Sequence, residues 1–396
     1  MIPKAEILEL SRHYSLQPTT VQKDYVIGWI LNAVSVHKNL SQWVFKGGTC
    51  LKKCYFETYR FSEDLDFTIP KEQIITRDLI ISYLEEAITW VENNSGLVFP
   101  RHDWKVEEYN NFRGNISFQA KISYNGPLGG APKSLPRVKF DITQDELLVD
   151  GPQLRNIHHT FSDEFTPTPK VLSYSINEVL AEKSRALYER NGRARDVYDV
   201  VNISRNFRKE IKPMLAKNIA IAKFKYKNIP SPSVNQIMSV INEAALMSSW
   251  EQQLDHQITN LPLVATFLSD LEDALAWWLQ PELAKQELQS MPSASGQLVS
   301  RELFPSVNWE TGPSALDQIR HAARNRLCAI VMYHGSVRLV EPYSLRYPPT
   351  ENELLHVWEI EKDGAQSDVH KSFKTSEIEK ASISDSVFTP RWAIEL

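Results

Sequence analysis

The residues best suited to chemistry gather in one short stretch, Phe-Lys-Gly-Gly-Thr followed by Arg-x-Ser-x-Asp-Leu-Asp-Phe, within residues 45–67. Asp64 and Asp66 are two apart on a segment that reads as a strand, so both carboxylates share one face. Two like charges this close repel unless a cation lies between them. Mg²⁺ takes oxygen ligands, commonly one or two carboxylates together with substrate phosphates. A pair of such ions about 4 Å apart can clamp the entering and leaving oxygens of a phosphoryl displacement. Just upstream, Gly47 and Gly48 lack Cβ atoms, which lets backbone N–H groups come close to a phosphate. Thr49 offers a hydroxyl, Lys46 and Arg60 offer positive charge, and Ser62 stands between Arg60 and the first acid. A glycine pair alone is a turn, and a lone Asp-x-Asp is an exposed strand end. The order strand, Gly-Gly, helix, Ser-x-Asp-x-Asp, strand points instead to a nucleotide site with Asp64 and Asp66 as metal ligands.

Many such metal sites need a third carboxylate. Asp141 qualifies, because Arg-Val-Lys-Phe-Asp-Ile-Thr alternates with period two. Phe140 and Ile142 would enter the core and leave Asp141 on the opposite face. The alternative is one acid on a half-exposed strand.

The composition bounds what these residues can belong to. The 396 residues are 42% apolar and 23% charged, with only 14 glycines. This is an ordinary globular balance that excludes collagen-like and Gly-rich disordered classes. Three cysteines rule out a disulfide scaffold and fit a reducing compartment. No apolar leader opens the chain, and the apolar run 25–36 is too short to span a bilayer. A cytoplasmic protein with no membrane partner is expected. The net charge of −5 announces no nucleic-acid binder, yet residues 181–230 hold 13 Lys and Arg against five Asp and Glu. That stretch would attract phosphate or form a solvated helical face.

The periodicities place the motifs on elements. A helix is expected from Thr19-Thr20, then a strand ending at Gly47-Gly48, a short helix, a second strand at 65–69 and a helix at 72–91. Three alternating segments, within 104–109, 115–124 and 136–143, read as strands. From Ser175 the pattern turns helical, with runs at 176–192, 193–207, near 233–249 and 262–280. The fold class is therefore α+β. Four parts are expected: a catalytic domain at 1–170, a helical lobe at 171–285, a linker at 286–313 and a small β domain at 314–396, with a hairpin turning at His334-Gly335.

Phe45-Lys46-Gly47-Gly48-Thr49 with Arg60-x-Ser62-x-Asp64-Leu65-Asp66-Phe67 resembles the first motif of the AbiE-type toxins, nucleotidyltransferase-like toxins of type IV toxin–antitoxin and abortive-infection systems. Asp141 matches the family's short acidic strand. Leu180-Ala181-Glu182-Lys183 with Arg190 matches its helical lysine motif, and Arg195-Asp196-x-Tyr198-Asp199 its Arg-Asp-x-Tyr-Asp motif. The resemblance spans about 20–205. It implies a polymerase-β-like nucleotidyltransferase with a mixed sheet, a Mg²⁺–NTP site, transfer of nucleotide to RNA (tRNA first among acceptors), and a cognate antitoxin as partner, in antiviral defence. It makes Lys183 and Asp196 active-site members beside Asp64, Asp66 and Asp141, with Lys46, Gly47, Gly48, Thr49, Arg60, Ser62 and Arg190 on the nucleotide. Lys183 and Arg190 are seven apart and share a helix face, as do Asp196 and Asp199. Asp196 would either orient Lys183 or act as base. Arg190, Arg193 and Arg195 are candidates for RNA phosphate contact.

The tail, about 314–390, resembles a WYL domain, an Sm-like β-barrel, through Tyr333, Arg338, Glu341 and Pro342, although the Trp-Tyr-Leu triplet itself is absent. The resemblance implies ligand sensing by Tyr333 and Arg338; a purely structural barrel is the alternative. His158-His159 lacks partners at a metal-finger spacing, Cys50 and Cys54 read as core, and Trp277-Trp278 reads as packing. Two other functions stay open: transfer of nucleotide to a small molecule, and a non-catalytic module that senses nucleic acid or a ligand.

Overall fold

A computed structural model describes residues 1–14, 16–56, 59–111, 113–131, 134–258, 261–281, 315–324, 326–346, 353–392 and 394–396. The expected linker at 286–313 lies outside the described residues. The chain divides into two compact units, Met1–Asp199 with Leu215–Leu261, and Val200–Met214 with Pro262–Leu396.

The first unit is built on a seven-stranded mixed sheet. Its strands are β1 (Val44–Lys46), β2 (Asp64–Thr68), β3 (Lys105–Asn110), β4 (Ile116–Ser123), β5 (Arg137–Thr143), β6 (Gln153–Asn156) and β7 (Lys170–Ser173). They lie in the order β3-β4-β5-β2-β1-β7-β6. β2 runs parallel to β5, and β1 runs parallel to β7. The alternation of β5 does what the sequence predicts. Val138, Phe140 and Ile142 are buried at 0–1% exposure, and Lys139, Asp141 and Thr143 face the other way. Each such buried side chain contributes roughly 1.5–3 kcal/mol.

Helices α1 (Lys4–Tyr14), α2 (Pro18–Val36) and α4 (Arg77–Ser95) pack against the apolar face. α2 begins one residue before the expected Thr19, because Pro18 fixes the first helical φ. Thr20 is buried and caps nothing. α4 starts at Arg77 rather than Glu72, where the Thr76 hydroxyl accepts from the Leu79 amide at 3.3 Å. It ends at Gly96, whose φ of 74° closes the last turn. Between β1 and β2 the chain makes a short helix α3 (Gly47–Cys50), which runs into a π-helical turn, Leu51–Tyr55. Cys50 and Cys54 are buried there, as expected.

After β7 the chain turns helical. α5 (Ile176–Glu189) is capped by Ser175, whose hydroxyl accepts from the Glu178 amide at 3.1 Å, and it stops at Asn191-Gly192, both at positive φ. α6 (Ala194–Phe207) follows. α7 (Pro213–Tyr226), which the sequence pattern did not announce, brings Lys223 and Lys227 back to the first unit. The expected helix near 233–249 is two helices, α8 (Val234–Ser239) and α9 (Glu243–Leu254). Asn242 caps the second through the Ala245 amide.

The second unit holds α10 (Val264–Leu279), where Trp278 is fully buried, and the helix Ala315–Arg324. Its five-stranded antiparallel sheet consists of β8 (Leu327–Tyr333), β9 (Ser336–Arg346), β10 (Leu354–Lys362), β11 (Ala365–Lys374) and β12 (Ile378–Val387). The β8–β9 hairpin turns at His334-Gly335, with φ of 53° and 70°. The expected closed Sm-like barrel is not formed. The order is β11-β10-β9-β8-β12, so β11 and β12 are edges that do not pair with each other among the described residues. Alternation in sequence reports strands, whereas closure depends on the two outer strands meeting.

Candidate active site

The polar face of the first sheet forms the floor of an open cleft of 830 Å³. Register fixes its central row. Lys46 on β1 lies opposite Asp66 on β2, Asp66 beside Asp141 on β5, and Asp141 opposite Gln119 on β4. Asp64 pairs with Lys139 one step along the same face. All three expected acids therefore line one cavity, together with Lys46, Gly47, Gly48, Arg60, Ser62, Lys183, Arg190 and Asp196. Thr49 does not. It is fully buried, and its hydroxyl donates to the Asp64 main-chain carbonyl at 2.5 Å. That bond ties α3 to β2.

The acids differ in their surroundings. Burial pushes the Asp66 carboxyl up to about 6, Lys46 pulls it back, and repulsion from Asp141 and Asp64 adds to the rise. Asp64 is raised for similar reasons, burial first. Asp141 is held on both sides, by Lys139 Nζ at 2.5 Å and by Gln119 Nε2 at 3.1 Å. Among the described residues no three His, Cys, Asp or Glu side chains converge on one point that a metal ion could fill. The donor set thus fits a hard cation held by the destabilised pair Asp64 and Asp66 and completed by phosphate oxygens, not a closed three-acid cage.

The two glycines have a packing reason as well. A Cβ on Gly47 would stand 2.2 Å from Asp66 Oδ2, and the residue has φ of 79°. A Cβ on Gly48 would stand 2.6 Å from Arg60 Nη2 and 3.0 Å from Ser62 Oγ. Side chains of the acidic motif occupy the spaces that the missing methyl groups leave.

The opposite wall comes from α5, α6 and their connection. Asp199, which is fully buried, organises it. The Arg60 guanidinium donates to both its oxygens at 2.7 Å, the Tyr59 hydroxyl donates at 2.8 Å, and Lys183 Nζ lies 2.7 Å away. Burial opposes the Asp199 charge, but Arg60 and Lys183 outweigh it and hold the carboxyl below its usual range. Lys183 also reaches Asp196 at 3.4 Å, and Arg190 reaches the other Asp196 oxygen at 3.3 Å. The expected link between Lys183 and Asp196 exists, but Asp199 is the nearer partner. Arg60, expected to face phosphate, spends its fork on Asp199 and donates to Gln257 at 3.0 Å.

A second ion network lay beyond sequence reasoning. Lys46 Nζ lies 3.2 Å from Glu182 and 3.4 Å from Glu146. Burial works against its charge, but these two carboxylates keep the ammonium well above its usual value. From α7, Lys223 meets Glu178 at 2.7 Å, Glu182 at 3.1 Å and the Leu147 carbonyl at 2.9 Å. Lys227 grips Asp145 at 3.2 Å and Glu146 at 3.5 Å. The basic stretch 181–230 is therefore neither a phosphate trap throughout nor a plain solvated face. Lys183, Arg185, Lys223 and Lys227 neutralise carboxylates around the cleft. Arg193 and Arg195 line the cleft and lean on Gln253 instead, at 3.4 and 3.2 Å. The only signal for Glu182 was its place beside Lys183; for Glu146 and Lys223 there was none, because the contacts join segments far apart in sequence.

A family model described as nucleotidyl transferase AbiEii toxin, type IV TA system, matches residues 29–280. The chain belongs to this family. No curated protein matches it. Among solved structures the AbiEii chain is similar to MenT4, a nucleotidyltransferase toxin from Mycobacterium tuberculosis H37Rv, with a TM-score of 0.50 and 16% identity. The likeness covers 72% of this chain and 93% of that one, and at such identity it speaks for the fold.

Tyr333 and Arg338, expected as ligand residues, lie on β8 and β9 of the second unit. The Tyr333 hydroxyl donates to Glu377 at 2.8 Å, and its ring stacks on Phe373 at 4.6 Å. Arg338 pairs with Glu359, which is buried. His159 is mostly buried beside Asp163 at 3.1 Å. Among the described residues no helix is long and apolar enough to cross a membrane.

Proposed function

We propose that this AbiEii chain transfers a nucleotide from an NTP to an RNA acceptor, with tRNA the acceptor its family resemblance favours, and that a separately encoded antitoxin restrains it. The observation that carries the reading is convergence. A destabilised acid pair, a glycine turn and a half-buried lysine from a helix more than a hundred residues later share one cleft.

Asp64 and Asp66 are the residues that would hold Mg²⁺, which when bound supplies charge for the phosphates and for the leaving pyrophosphate. The Gly47-Gly48 backbone lines the cleft, where its N–H groups would meet the phosphates. Lys183, fixed by Asp199 and Asp196, neutralises charge that develops as an acceptor hydroxyl attacks the α-phosphorus and the bond to pyrophosphate breaks. Asp196 is 1% exposed and already faces two cations, which suits an orienting role better than that of a base. Arg193 and Arg195, which form no ion pair among the described residues, are the cleft cations left for an RNA backbone.

The test is transfer from each labelled NTP, with Mg²⁺ and total cellular RNA, by the wild type and by Asp64→Ala. Labelled RNA with the wild type and none with the variant is the expected result. Label on a small molecule would point to a different acceptor class, and no Mg²⁺-dependent transfer at all would reject the enzymatic reading.

A further inference from the structure

One aromatic side chain on the cleft wall keeps its ring open to solvent, while its hydroxyl bonds the Ser117 side chain. Tyr109 is 43% exposed, lines the cleft, and among the described residues stacks on no other ring. The other cleft tyrosine, Tyr174, is 1% exposed and serves the core and the Lys46–Lys223 network. Most of the remaining lining is charged or polar. The cleft thus offers phosphates and cations many partners, and it offers a flat apolar surface at one place.

That place follows from register. Tyr109 on β3 pairs with Ser117 on β4, and Ser117 pairs with Thr143 on β5, two residues from Asp141 on the same face. At about 4.8 Å per strand, the Tyr109 backbone stands roughly 10 Å from β5 and roughly 14 Å from β2. From there its side chain lines the same cavity as Asp64, Asp66 and Asp141. β3 is the edge of the sheet among the described residues, and the Tyr109 ring on its face stays open to solvent. An aromatic ring kept open in a polar groove costs solvation that it recovers when a flat partner covers it.

We propose that Tyr109 is the nucleobase platform of the cleft, its ring stacking on the base of a nucleotide whose phosphates would meet the cation that Asp64 and Asp66 hold. The inference rests on the nucleotidyltransferase reading and deepens it by assigning the base contact. Stacking accepts every base, so this residue contributes affinity with little choice among the four NTPs. The base belongs either to the incoming NTP or to the terminal nucleotide of the acceptor.

The experiment compares full-length wild type with Tyr109→Ala, Tyr109→Leu, Tyr109→Phe and Tyr109→Trp. One arm measures binding of an NTP against ribose 5-triphosphate, which carries the same phosphates and no base. The other measures KM for a short single-stranded oligoribonucleotide acceptor. With the base from the NTP, the advantage of NTP over ribose 5-triphosphate falls about 5- to 150-fold in the Ala and Leu variants and returns with Phe and Trp, while ribose 5-triphosphate binds unchanged. With the base from the acceptor, the NTP advantage stays and the oligonucleotide KM rises over the same range, again restored by Phe and Trp. Either result supports the platform. Leu keeps the bulk without the π face, so a wild-type result with Leu overturns it. Ala and Leu variants unchanged in both arms, beside an active wild type, overturn the platform and leave the transferase reading standing. A wild type that binds no NTP and transfers nothing overturns both.

Discussion

Replacing Asp66 with Asn should abolish transfer and, in the absence of metal, make the protein more stable. The magnitude comes from the carboxyl itself. Its folded-state value of about 6 stands against the ordinary 3.8. Burial is the main cause, with the neighbouring Asp141 and Asp64 adding to it. Because the folded state binds this proton more tightly than the unfolded chain does, stability from this site is greatest below about pH 4. It falls as the pH rises to about 6 and stays low beyond. At pH 8 the ionised carboxylate therefore costs up to about 3 kcal/mol, at 1.4 kcal/mol per tenfold change in proton affinity. An amide of the same shape carries no such charge, so Asp66→Asn should recover about 1–3 kcal/mol. For a unit of this size that is a rise of about 3–10 °C in melting temperature. The assay is thermal unfolding in EDTA at pH 8 and again at pH 5, where the folded carboxyl is mostly protonated and the gap between the two proteins should shrink to about half, closing only below about pH 4. Added Mg²⁺ should then raise the wild type more than the variant, because binding to the folded state alone stabilises it. A variant that melts at or below the wild type in EDTA at pH 8 would refute the claim that the site is held in a destabilised state for a cation to relieve.

Two further outcomes follow from the packing. Gly47→Ala places a methyl group 2.2 Å from Asp66 Oδ2 at φ of 79°, so transfer should drop about a hundredfold or more, with a stability loss of about 1–2 kcal/mol; a fully active, stably folded variant would show that the carboxylate tolerates displacement. Asp199→Ala leaves the buried Arg60 without its counter-charge and Lys183 with only the more distant Asp196, and should cost about 3–5 kcal/mol in urea unfolding at pH 7. Since the Asp199 carboxyl is held below its usual range, the contribution is present above about pH 4 and is lost as the pH falls through the lower folded-state value, so the gap between wild type and variant should narrow in acid. An unchanged urea midpoint at pH 7 would show that this cluster does not hold α6 against the 59–61 segment.

The acidic motif was legible because strand alternation reports which side chains share a face, and Asp64, Asp66 and Asp141 do share one. Lys183 was legible through its motif, and its nearest partner was not. Asp196 and Asp199 lie on the same helix face, and only the fold shows that Arg60 arrives to favour Asp199. Thr49 was misplaced for a related reason: a hydroxyl after a glycine turn can point to a ligand or into the protein, and the neighbouring Asp64 carbonyl decided it. The hairpin at His334-Gly335 was written in its turn residues, whereas closure of the tail sheet depended on two edges that no local pattern describes. α7 escaped because its inward lysines interrupt the apolar stripe by which helices are recognised.

The Phe61 amide donates to the Gln257 carbonyl, and Arg60 donates to the Gln257 side chain across 197 positions of sequence. A ribosome therefore delivers the acidic strand long before the segment that braces it. Chains interrupted ahead of Gln257 would carry the acidic strand, the helical lysine and Asp199, and would lack the residue that braces Arg60 and Phe61.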